Sequence, residues 1–318
     1  TWKTLRGMAN QDDPSINQYQ ELWDMGGDNA VVNFMNEFIV FNRNTCEIIY
    51  LDAEDTTDMA KYSIKVSAGA ALIFSKWKIE VGAKKPVNPY NIWIDSSIRR
   101  DVCRIVFDPR PNCPKNVFNV WKGFDIDELD VGDLSLGEAN VLAAPLLNHL
   151  FNIWCKGNRE YYNFLISWFA RVIQHPWEKV GILLVAQSAE GAGKGIVYDF
   201  LRTIVGKNLY AQINSIDSVV GNFNPILEGK VFINCDEAHW GGCKKDHNKM
   251  KQLITDLEVI INDKHIKPYQ IRNTTAFMFA SNDERPTSAQ EGDRRHFGLK
   301  LSDKWAGRQK TPEHTKYF

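Results

Sequence analysis

The C-terminal half of the chain is predicted to fold as an α/β domain whose sheet is covered on both faces. Three apolar runs indicate this class: GILLVA (Gly181 to Ala186), KVFINC (Lys230 to Cys235) and AFMFAS (Ala276 to Ser281). Continuous apolar strands separated by helical patterns are typical of such sheets. Upstream, alternating apolar and polar residues about an NRNT turn in residues 31–52 predict a β-hairpin, and hence a smaller N-terminal α+β domain.

The composition is that of a globular chain without a strong overall charge. Of 318 residues, 44% are hydrophobic, and neither a run of about 18 apolar residues nor a secretory leader is present. We therefore expect an intracellular, cytoplasmic protein with no membrane partner. Lysine and arginine together number 38 against 39 acidic residues, which gives a net charge of -1. Such a balance does not attract nucleic acid in general, so any nucleic-acid partner must be held at a local site.

Six cysteines are too few and too scattered for a disulfide framework in a chain of this length, and we expect reduced thiols. The spacing of Cys235, His239, Cys243 and His247 suggests a zinc site. A structural role for Cys235 in a buried strand is favoured over zinc, because the paired CxxC spacing of a closed metal site is absent.

Changes in pattern along the chain predict three parts: an accessory domain over residues 1–124, a helical connector or collar over 125–180, and the α/β domain over 181–318. Two short strands split by a proline-rich loop are predicted in residues 104–124. Residues 125–140 are acidic and poor in aromatics, which indicates a boundary or exposed connector. After them, an apolar stripe predicts a core helix that ends at a His-Pro pair. Its members are Phe164, Leu165, Trp168, Phe169, Val172 and Ile173.

The stretch SAEGAGKGI, residues 188–196, follows the first apolar run and precedes a helical pattern. A strand, a glycine-rich loop, a lysine and a helix in this order form a cradle for phosphate. The loop amides and the helix N-terminus carry partial positive charge, and glycine lets the backbone approach an anion closely. Lys194 is predicted to reach the β and γ phosphates of a bound nucleotide. The residues assigned to this cradle are Ser188, Gly191, Ala192, Gly193, Lys194, Gly195 and Ile196.

The loop departs from the full G-x-x-x-x-G-K-[ST] signature at Ser188 and at Gly195, which lacks the hydroxyl that normally binds Mg²⁺. Asp236 and Glu237 follow the strand KVFINC and predict a replacement. Asp236 is expected to hold the metal, while Glu237 orients and deprotonates an attacking water. ATP and Mg²⁺ are therefore the expected cofactors. The plainer interpretation is an acidic pair that only begins a loop.

Two later features fit the same chemistry. Asn282 follows the third apolar run, where it can sense a γ phosphate or a water, although asparagine also serves as a turn or cap residue at such places. Arg294 and Arg295 in GDRRHF can supply an arginine finger to the nucleotide of a neighbouring subunit. Surface ion pairing is the alternative for these arginines.

The order of these features resembles that of the superfamily III helicases of viruses and plasmids, a branch of the AAA+ ATPases. The resemblance includes the helicase part of phage and poxvirus primase-helicases, and it extends over most of residues 90–303. It is carried by GAGKG, GNFNPILEGKVFINCDEAHW, KQLITD, IRNTTAFMFASND and GDRRHF, and RIVFDPRPNCPKNVFNVWKGF resembles the segment that precedes the ATPase in such proteins. It implies a P-loop AAA+ three-layer ATPase core and a homo-hexameric ring that hydrolyses ATP between subunits and moves along single-stranded DNA. It also implies a virus- or plasmid-encoded protein, with a primase domain upstream in the same polypeptide as a candidate partner.

This family carries a channel-facing β-hairpin with a basic tip. Here EVIINDKHIKPYQIRN, residues 258–273, predicts a strand, a polar turn and a strand, with Lys264, His265 and Lys267 at or near the turn. Lys264 matches the hairpin lysine of the family. These side chains are expected to contact DNA phosphates without reading bases. An ordinary solvated hairpin is the alternative.

The function expected from the sequence is that of an ATP-dependent, ring-forming DNA helicase acting in viral or plasmid replication. Two alternatives stay open. One is a nucleotide-binding assembly or loader module with weak or no ATPase activity, suggested by Ser188 and Gly195. The other is a small-molecule phosphotransferase, because nucleoside monophosphate kinases also use a GKG loop. Those kinases place the loop near the N-terminus, and they do not need the acidic pair, sensor and arginines in this order.

Overall fold

The computed structural model describes residues 18–50, 63–128, 132, 134–236, 244–264, 268–282, 293–307 and 311–317. The chain divides into two compact units, Thr1–Lys122 and Gly123–Phe318. Each unit contains its own sheets and its own buried core.

The first unit is built on a small mixed sheet. Its elements are α1 (Gln18–Met35, interrupted at Gly26 and Gly27), β1 (Ile39–Asn42), β2 (Glu47–Tyr50), β3 (Ser63–Lys65), α2 (Ser67–Ile73), α3 (Pro89–Ile94), β4 (Asp101–Val102), β5 (Ile105–Val106) and β6 (Phe118–Asn119). The strand order is β3-β2-β1-β4, in which only the β1 and β4 pair is parallel. Aromatic rings on the helices and just after them, including Tyr19, Phe74, Tyr90 and Trp93, contact one another in the core.

The predicted N-terminal hairpin is confirmed in its second part and wrong in its first. β1 and β2 pair antiparallel from Ile39 opposite Tyr50 to Asn42 opposite Glu47, around the expected turn. Residues 31–35, however, continue helix α1. Val31, Val32 and Met35 are all buried, and their spacing fits one face of a helix, so the apolar residues here follow the helical period. The two short strands predicted in residues 104–124 are present as β5 and β6, which pair parallel.

The second unit is an α/β domain. Its elements are a 3-10 turn (Asp125–Glu128), α4 (Leu136–His149), a π-helical turn (Leu150–Trp154), α5 (Arg159–Gln174), β7 (Leu183–Gln187), α6 (Lys194–Val205), β8 (Tyr210–Ile213), α7 (Asp217–Val220), a 3-10 turn (Pro225–Leu227), β9 (Phe232–Cys235), α8 (Lys244–Thr255), β10 (Glu258–Ile261), β11 (Tyr269–Arg272), β12 (Ala276–Ser281), β13 (His296–Lys300) and α9 (Pro312–Tyr317). The central sheet has five parallel strands in the order β13-β7-β12-β9-β8.

The parallel sheet is covered on both faces, as the apolar runs predict. All residues of β9 and β12 are buried. On one face, Ile233 and Phe279 pack in a core cluster with residues of α7 and α8. On the other face, Phe232 contacts the indole of Trp168 from α5. The mixed α/β class with a parallel sheet is therefore confirmed.

Helix α5 confirms most of the apolar stripe of the sequence, and its N-terminal neighbour α4 begins inside the acidic stretch. In α5, Leu165, Trp168, Phe169 and Val172 are buried. The other two members of the predicted stripe are not: Phe164 is 38% exposed, and Ile173 is partly buried. The acidic stretch 125–140 is predicted to be a boundary or exposed connector, but its last residues are helical, because α4 begins at Leu136. The reason is a capping box, in which Ser135 and Glu138 satisfy each other's backbone N-H groups. This S-x-x-E signature is visible in the sequence. Within the described residues, no helix is long and apolar enough to cross a membrane.

Candidate functional site

The glycine-rich loop joins β7 to α6 at the carboxyl edge of the parallel sheet. β7 ends at Gln187 and α6 begins at Lys194. Gly191 and Gly193 have φ values of 77 and 92 degrees, in the left-handed region that L side chains rarely adopt. The loop backbone therefore requires glycine at these two positions.

Ser188, the first departure from the loop signature, fits the loop without strain. Its φ is not positive, so the position has no need of glycine. Its backbone N-H donates to the carbonyl of Ser281 at 3.2 Å, and its Oγ donates to the carbonyl of Ala189 at 2.9 Å. The backbone of Ser188 thus ties the loop to the neighbouring strand β12, while its hydroxyl bonds within the loop.

The first turn of α6 leaves backbone N-H groups without intrahelical acceptors, as at every helix N-terminus. Gly195 and Ile196 are exposed in this turn, whereas Ala192 is buried beneath it. A Cβ atom added at Gly195 would have no neighbour within 4 Å. The N-terminus of α6 is therefore open to an anion, which its amide groups and the helix dipole would stabilise.

Oxygen atoms of the loop and of β12 surround the ammonium group of Lys194. Its Nζ donates to Oδ1 of Asn282 at 2.6 Å, to the carbonyl of Ser281 at 3.3 Å and to that of Ser188 at 3.4 Å. β12 pairs parallel with β7, with Ser281 opposite Gln187. This register brings the predicted sensor residue to the predicted phosphate-binding lysine, although the two are 88 positions apart in the chain.

Asp236 lies at the same edge of the sheet, directly after β9. Because β12 lies between β9 and β7, usual strand spacing places the backbone of Asp236 about 10 Å from the end of β7. The N-H of Asp236 donates to the carbonyl of Ile213 at 2.9 Å, and Oδ2 accepts from Nε2 of Gln212 at 3.2 Å. A carboxylate at this position is chemically suited to Mg²⁺. Glu237, its predicted catalytic neighbour, lies outside the described residues.

Two buried phenols, Tyr198 of α6 and Tyr210 of β8, lie near enough to Asp236 to feel its charge. Burial raises the pKa of Tyr210 to about 12, and the charge of Asp236 adds to this rise. Burial also raises the pKa of Tyr198, and the charge of Asp236 adds to the shift. Both phenols therefore stay protonated at neutral pH, so they bring no second negative charge to Asp236.

The two candidate finger arginines differ in their surroundings. Nη1 of Arg295 lies 3.4 Å from Oδ1 of Asp293, whose carboxylate also faces His296 and Lys251. Burial acts to raise the pKa of Asp293, but the N-H of Arg295 and the neighbouring positive charges leave it lowered overall. Arg294 is exposed and forms no ion pair with any residue that the structure describes. Arg294 is accordingly the better candidate for reaching another subunit.

The predicted basic hairpin is present as β10 and β11, which pair antiparallel from Glu258 opposite Arg272 to Ile261 opposite Tyr269. Lys264 follows β10 and is exposed, with its Nζ 5.7 Å from the ring centroid of Phe223. His265 and Lys267 lie outside the described residues.

The hairpin is fixed to the preceding segment by reciprocal asparagine bonds. Asn224 Oδ1 accepts from the N-H of Asn262 at 2.8 Å, and Asn224 Nδ2 donates to the carbonyl of Ile260 at 3.0 Å. The end of β10 next to Lys264 is thus held rather than loosely solvated.

The structure also brings residues to the site that sequence reasoning missed. Gln212 contacts Asp236, and the imidazole of His149 contacts the carbonyl of Gly193. No local motif marks either residue, because both contacts join distant parts of the chain.

The possible zinc ligands are not brought together in the described part of the chain. Cys235 is buried in the core cluster of the sheet, where burial raises the pKa of its thiol. His239 and Cys243 lie outside the described residues. Among the residues with described positions, no group of three or more His, Cys, Asp or Glu side chains could hold a metal ion.

Residues 186–295, which contain most of these features, match a protein family of unknown function, DUF5906. Over 155 residues the chain is 30% identical to the "DNA Primase-polymerase" of Nitratiruptor phage NrS-1. The chain is similar to a phage primase-polymerase. The match covers 47% of the present chain and 20% of that protein, so it spans only about a fifth of the relative's length.

Solved structures of the NrS-1 C-terminal region share the fold. One apo structure has a TM-score of 0.64 at 17% identity, covering 97% of this chain and 67% of that one. An A-form apo structure has a TM-score of 0.62 at 17% identity, and the match covers 87% of this chain and 61% of that one. At this identity the likeness concerns the fold alone, and it extends across nearly the whole chain.

Proposed function

We propose that this chain is the ATP-hydrolysing module of a ring-forming DNA helicase that acts in phage or plasmid replication. The observation that carries the proposal is the contact between Lys194 and Asn282 at the carboxyl edge of the parallel sheet. Ligands of open α/β sheets bind outside the carboxyl ends of the strands. A lysine at a helix N-terminus, a glycine-rich loop and an amide on the neighbouring strand suit a nucleoside triphosphate, as in a P-loop AAA+ core.

The residues present fit ATP and Mg²⁺ in these roles. The loop amides and Lys194 would hold the β and γ phosphates, exchanging the ammonium's present oxygen partners for phosphate oxygens. Asp236 would hold Mg²⁺, which neutralises charge on the phosphates when bound. Asn282 would contact the γ phosphate or the attacking water. Glu237 would orient that water and accept its proton.

The exposure of Arg294 is consistent with the proposed assembly into a ring. Its exposed guanidinium leaves it available to a neighbouring subunit's nucleotide, where it would stabilise negative charge in the transition state. In the proposed homo-hexamer each nucleotide would lie between two subunits. Hydrolysis would then depend on assembly.

The hairpin supports the proposed DNA partner. Lys264 is exposed beside a firmly held strand end, and it would contact a phosphate of single-stranded DNA, together with His265 and Lys267. The similarity to a phage DNA primase-polymerase agrees with a role in phage DNA replication. An upstream primase domain remains part of the proposal.

The proposal is tested by ATP hydrolysis with and without single-stranded DNA, on protein whose mass in solution is measured in parallel. Lys194→Ala should lower hydrolysis by at least about 10²-fold, because it removes a charge that the transition state needs. Lys84→Ala, an exposed lysine of the other unit, is the matched control. Hydrolysis at the normal rate in Lys194→Ala would contradict the proposal.

These measurements test the first alternative, and a separate assay of phosphate transfer to AMP tests the second. Turnover near zero with intact rings would indicate an assembly or loader module. Phosphate transfer to AMP, without stimulation by DNA, would indicate a phosphotransferase.

A further inference from the structure

His149 links the glycine-rich loop to the C-terminal helix. It is the last residue of α4 and directly precedes the π-helical turn Leu150–Trp154, a type of turn that is frequent at functional sites. Its side chain is buried, and the whole residue is only 3% exposed. Nε2 lies 3.1 Å from the carbonyl oxygen of Gly193, and Nδ1 lies 3.1 Å from the hydroxyl of Tyr317.

The two partners determine the tautomer of the ring. A carbonyl oxygen can only accept, so Nε2 must carry the proton that it donates to Gly193. Burial lowers the pKa of His149, although the bond to Gly193 acts against this shift, and the ring is therefore neutral at physiological pH. In the neutral ring Nδ1 is an acceptor, so the hydroxyl of Tyr317 donates to it.

The bond to Gly193 fixes the direction of the next amide group. In a trans peptide the C=O and N-H bonds point in opposite directions, so holding the carbonyl of Gly193 at His149 directs the N-H of Lys194 away from it. That N-H is one of the amides at the start of α6 that lack an intrahelical acceptor. Gly193 has a φ of 92 degrees, which is one of several backbone conformations open to glycine. The hydrogen bond from His149 stabilises this conformation over the others.

Tyr317 is itself held in place by the aromatic residues around α9. Its ring centroid lies 4.7 Å from that of Trp305, and Trp305 also contacts His314 edge-on. The His149 ring therefore has one fixed partner on the loop and another on α9.

We propose that His149 is a positioning residue of the nucleotide site, which holds the peptide between Gly193 and Lys194 in its phosphate-binding orientation while Tyr317 orients the imidazole. The inference rests on the proposed nucleotide-binding function, and it adds a residue that touches neither nucleotide nor metal. The loop is pre-organised by a contact from outside the loop sequence.

The test measures the KM for ATP, kcat, and binding of a fluorescent ATP analogue with Mg²⁺. His149→Ala should raise KM and weaken binding by about tenfold, the usual effect of losing one buried hydrogen bond, while kcat changes less than threefold. His149→Gln should restore most of the affinity, because its amide can donate to Gly193 from a similar position. Tyr317→Phe should weaken binding by about threefold. Tyr161→Phe, another exposed tyrosine of the same unit, should change binding less than twofold.

The outcomes separate this inference from the proposed function. If Lys194→Ala abolishes binding while His149→Ala stays within twofold of the parent protein, the positioning role is wrong and the nucleotide site stands. If the parent protein itself does not bind the analogue, both are overturned. If His149→Ala does not fold, Tyr317→Phe decides. If Tyr317→Phe then binds the analogue as tightly as Tyr161→Phe does, the inference is overturned.

Discussion

Nζ of Lys179 lies 2.9 Å from Oδ1 of Asn273, and the amide of Asn273 donates at 2.9 Å to the carbonyls of both Leu253 and Asp256. Lys179 precedes β7, Leu253 belongs to α8, and Asn273 follows the hairpin strand β11. A single asparagine thus ties the end of α8 and the base of the hairpin to the segment that leads into the glycine-rich loop.

Because Lys179 is buried, the free energy of unfolding depends on pH in the neutral to alkaline range. Burial lowers the pKa of Lys179 from 10.5 to about 7, with Asp256 opposing the shift. Between these values the unfolded chain binds more protons than the folded one, so the free energy of unfolding rises with pH. The limiting slope for one proton is about 1.4 kcal/mol per pH unit. Urea unfolding at pH 7, 8 and 9 should show a smaller slope in Lys179→Met than in the parent protein.

The comparison removes the contributions of other groups, since they titrate equally in both proteins. Lys84→Met, which changes an exposed lysine, should keep the parent slope. A slope in Lys179→Met identical to that of the parent would mean that the ammonium group is hydrated in the folded protein.

Gly206 ends α6 in a conformation that only glycine adopts readily. Its φ and ψ are 91 and 150 degrees, and a Cβ atom there would lie 2.3 Å from Cγ of Asp125. Gly206→Ala should therefore lower the free energy of unfolding by about 2 to 3 kcal/mol. Gly181→Ala is the matched control, because Gly181 has a φ of 72 degrees and open space around its Cα. It should cost about 1 kcal/mol. Equal losses in urea unfolding of the two variants would contradict the clash with Asp125.

Gly195 offers a direct test of the missing hydroxyl. The position is exposed in the first turn of α6, has no positive φ, and has open space for a side chain. Gly195→Ser should lower the Mg²⁺ concentration for half-maximal ATP hydrolysis by several-fold, because the hydroxyl supplies a further oxygen ligand. Gly195→Ala controls for helix propensity, which should stabilise the fold by about 1 kcal/mol without changing the Mg²⁺ requirement. Equal Mg²⁺ titrations of the serine and alanine variants would place the metal elsewhere.

Local periodicity predicted the elements of the second unit well, and it could not predict how they meet. The buried runs of β7, β9 and β12 are continuous in the sequence, and so is the apolar stripe of α5. The strand order, which brings Asn282 to Lys194, follows from pairing between distant segments and has no local signature. The role predicted for Asn282 rests on its position after the third apolar run, and the contact shows only that the two residues are neighbours.

The structural features that the sequence did not predict have specific physical causes. The alternation over residues 31–52 predicts a strand at Val31, Val32 and Met35, although a buried helix face produces a similar short apolar pattern. The capping box at Ser135 starts a helix inside a stretch whose acidic composition indicates a connector. His149 could not be found at all, because its partners Gly193 and Tyr317 lie 44 and 168 positions away.

Lys264 should contribute to DNA binding through charge alone. Its ammonium lies near the face of Phe223, which is 48% exposed, at the end of a strand held by Asn224. For single-stranded DNA each phosphate contact contributes about 0.7 to the slope of log affinity against log salt concentration. Lys264→Ala should reduce that slope by about this amount for poly-dT and mixed-sequence oligonucleotides alike, because phosphates carry no sequence information. Lys84→Ala should leave the slope unchanged. A loss confined to one sequence would instead indicate base recognition, and an unchanged slope in Lys264→Ala would exclude this lysine from the DNA path.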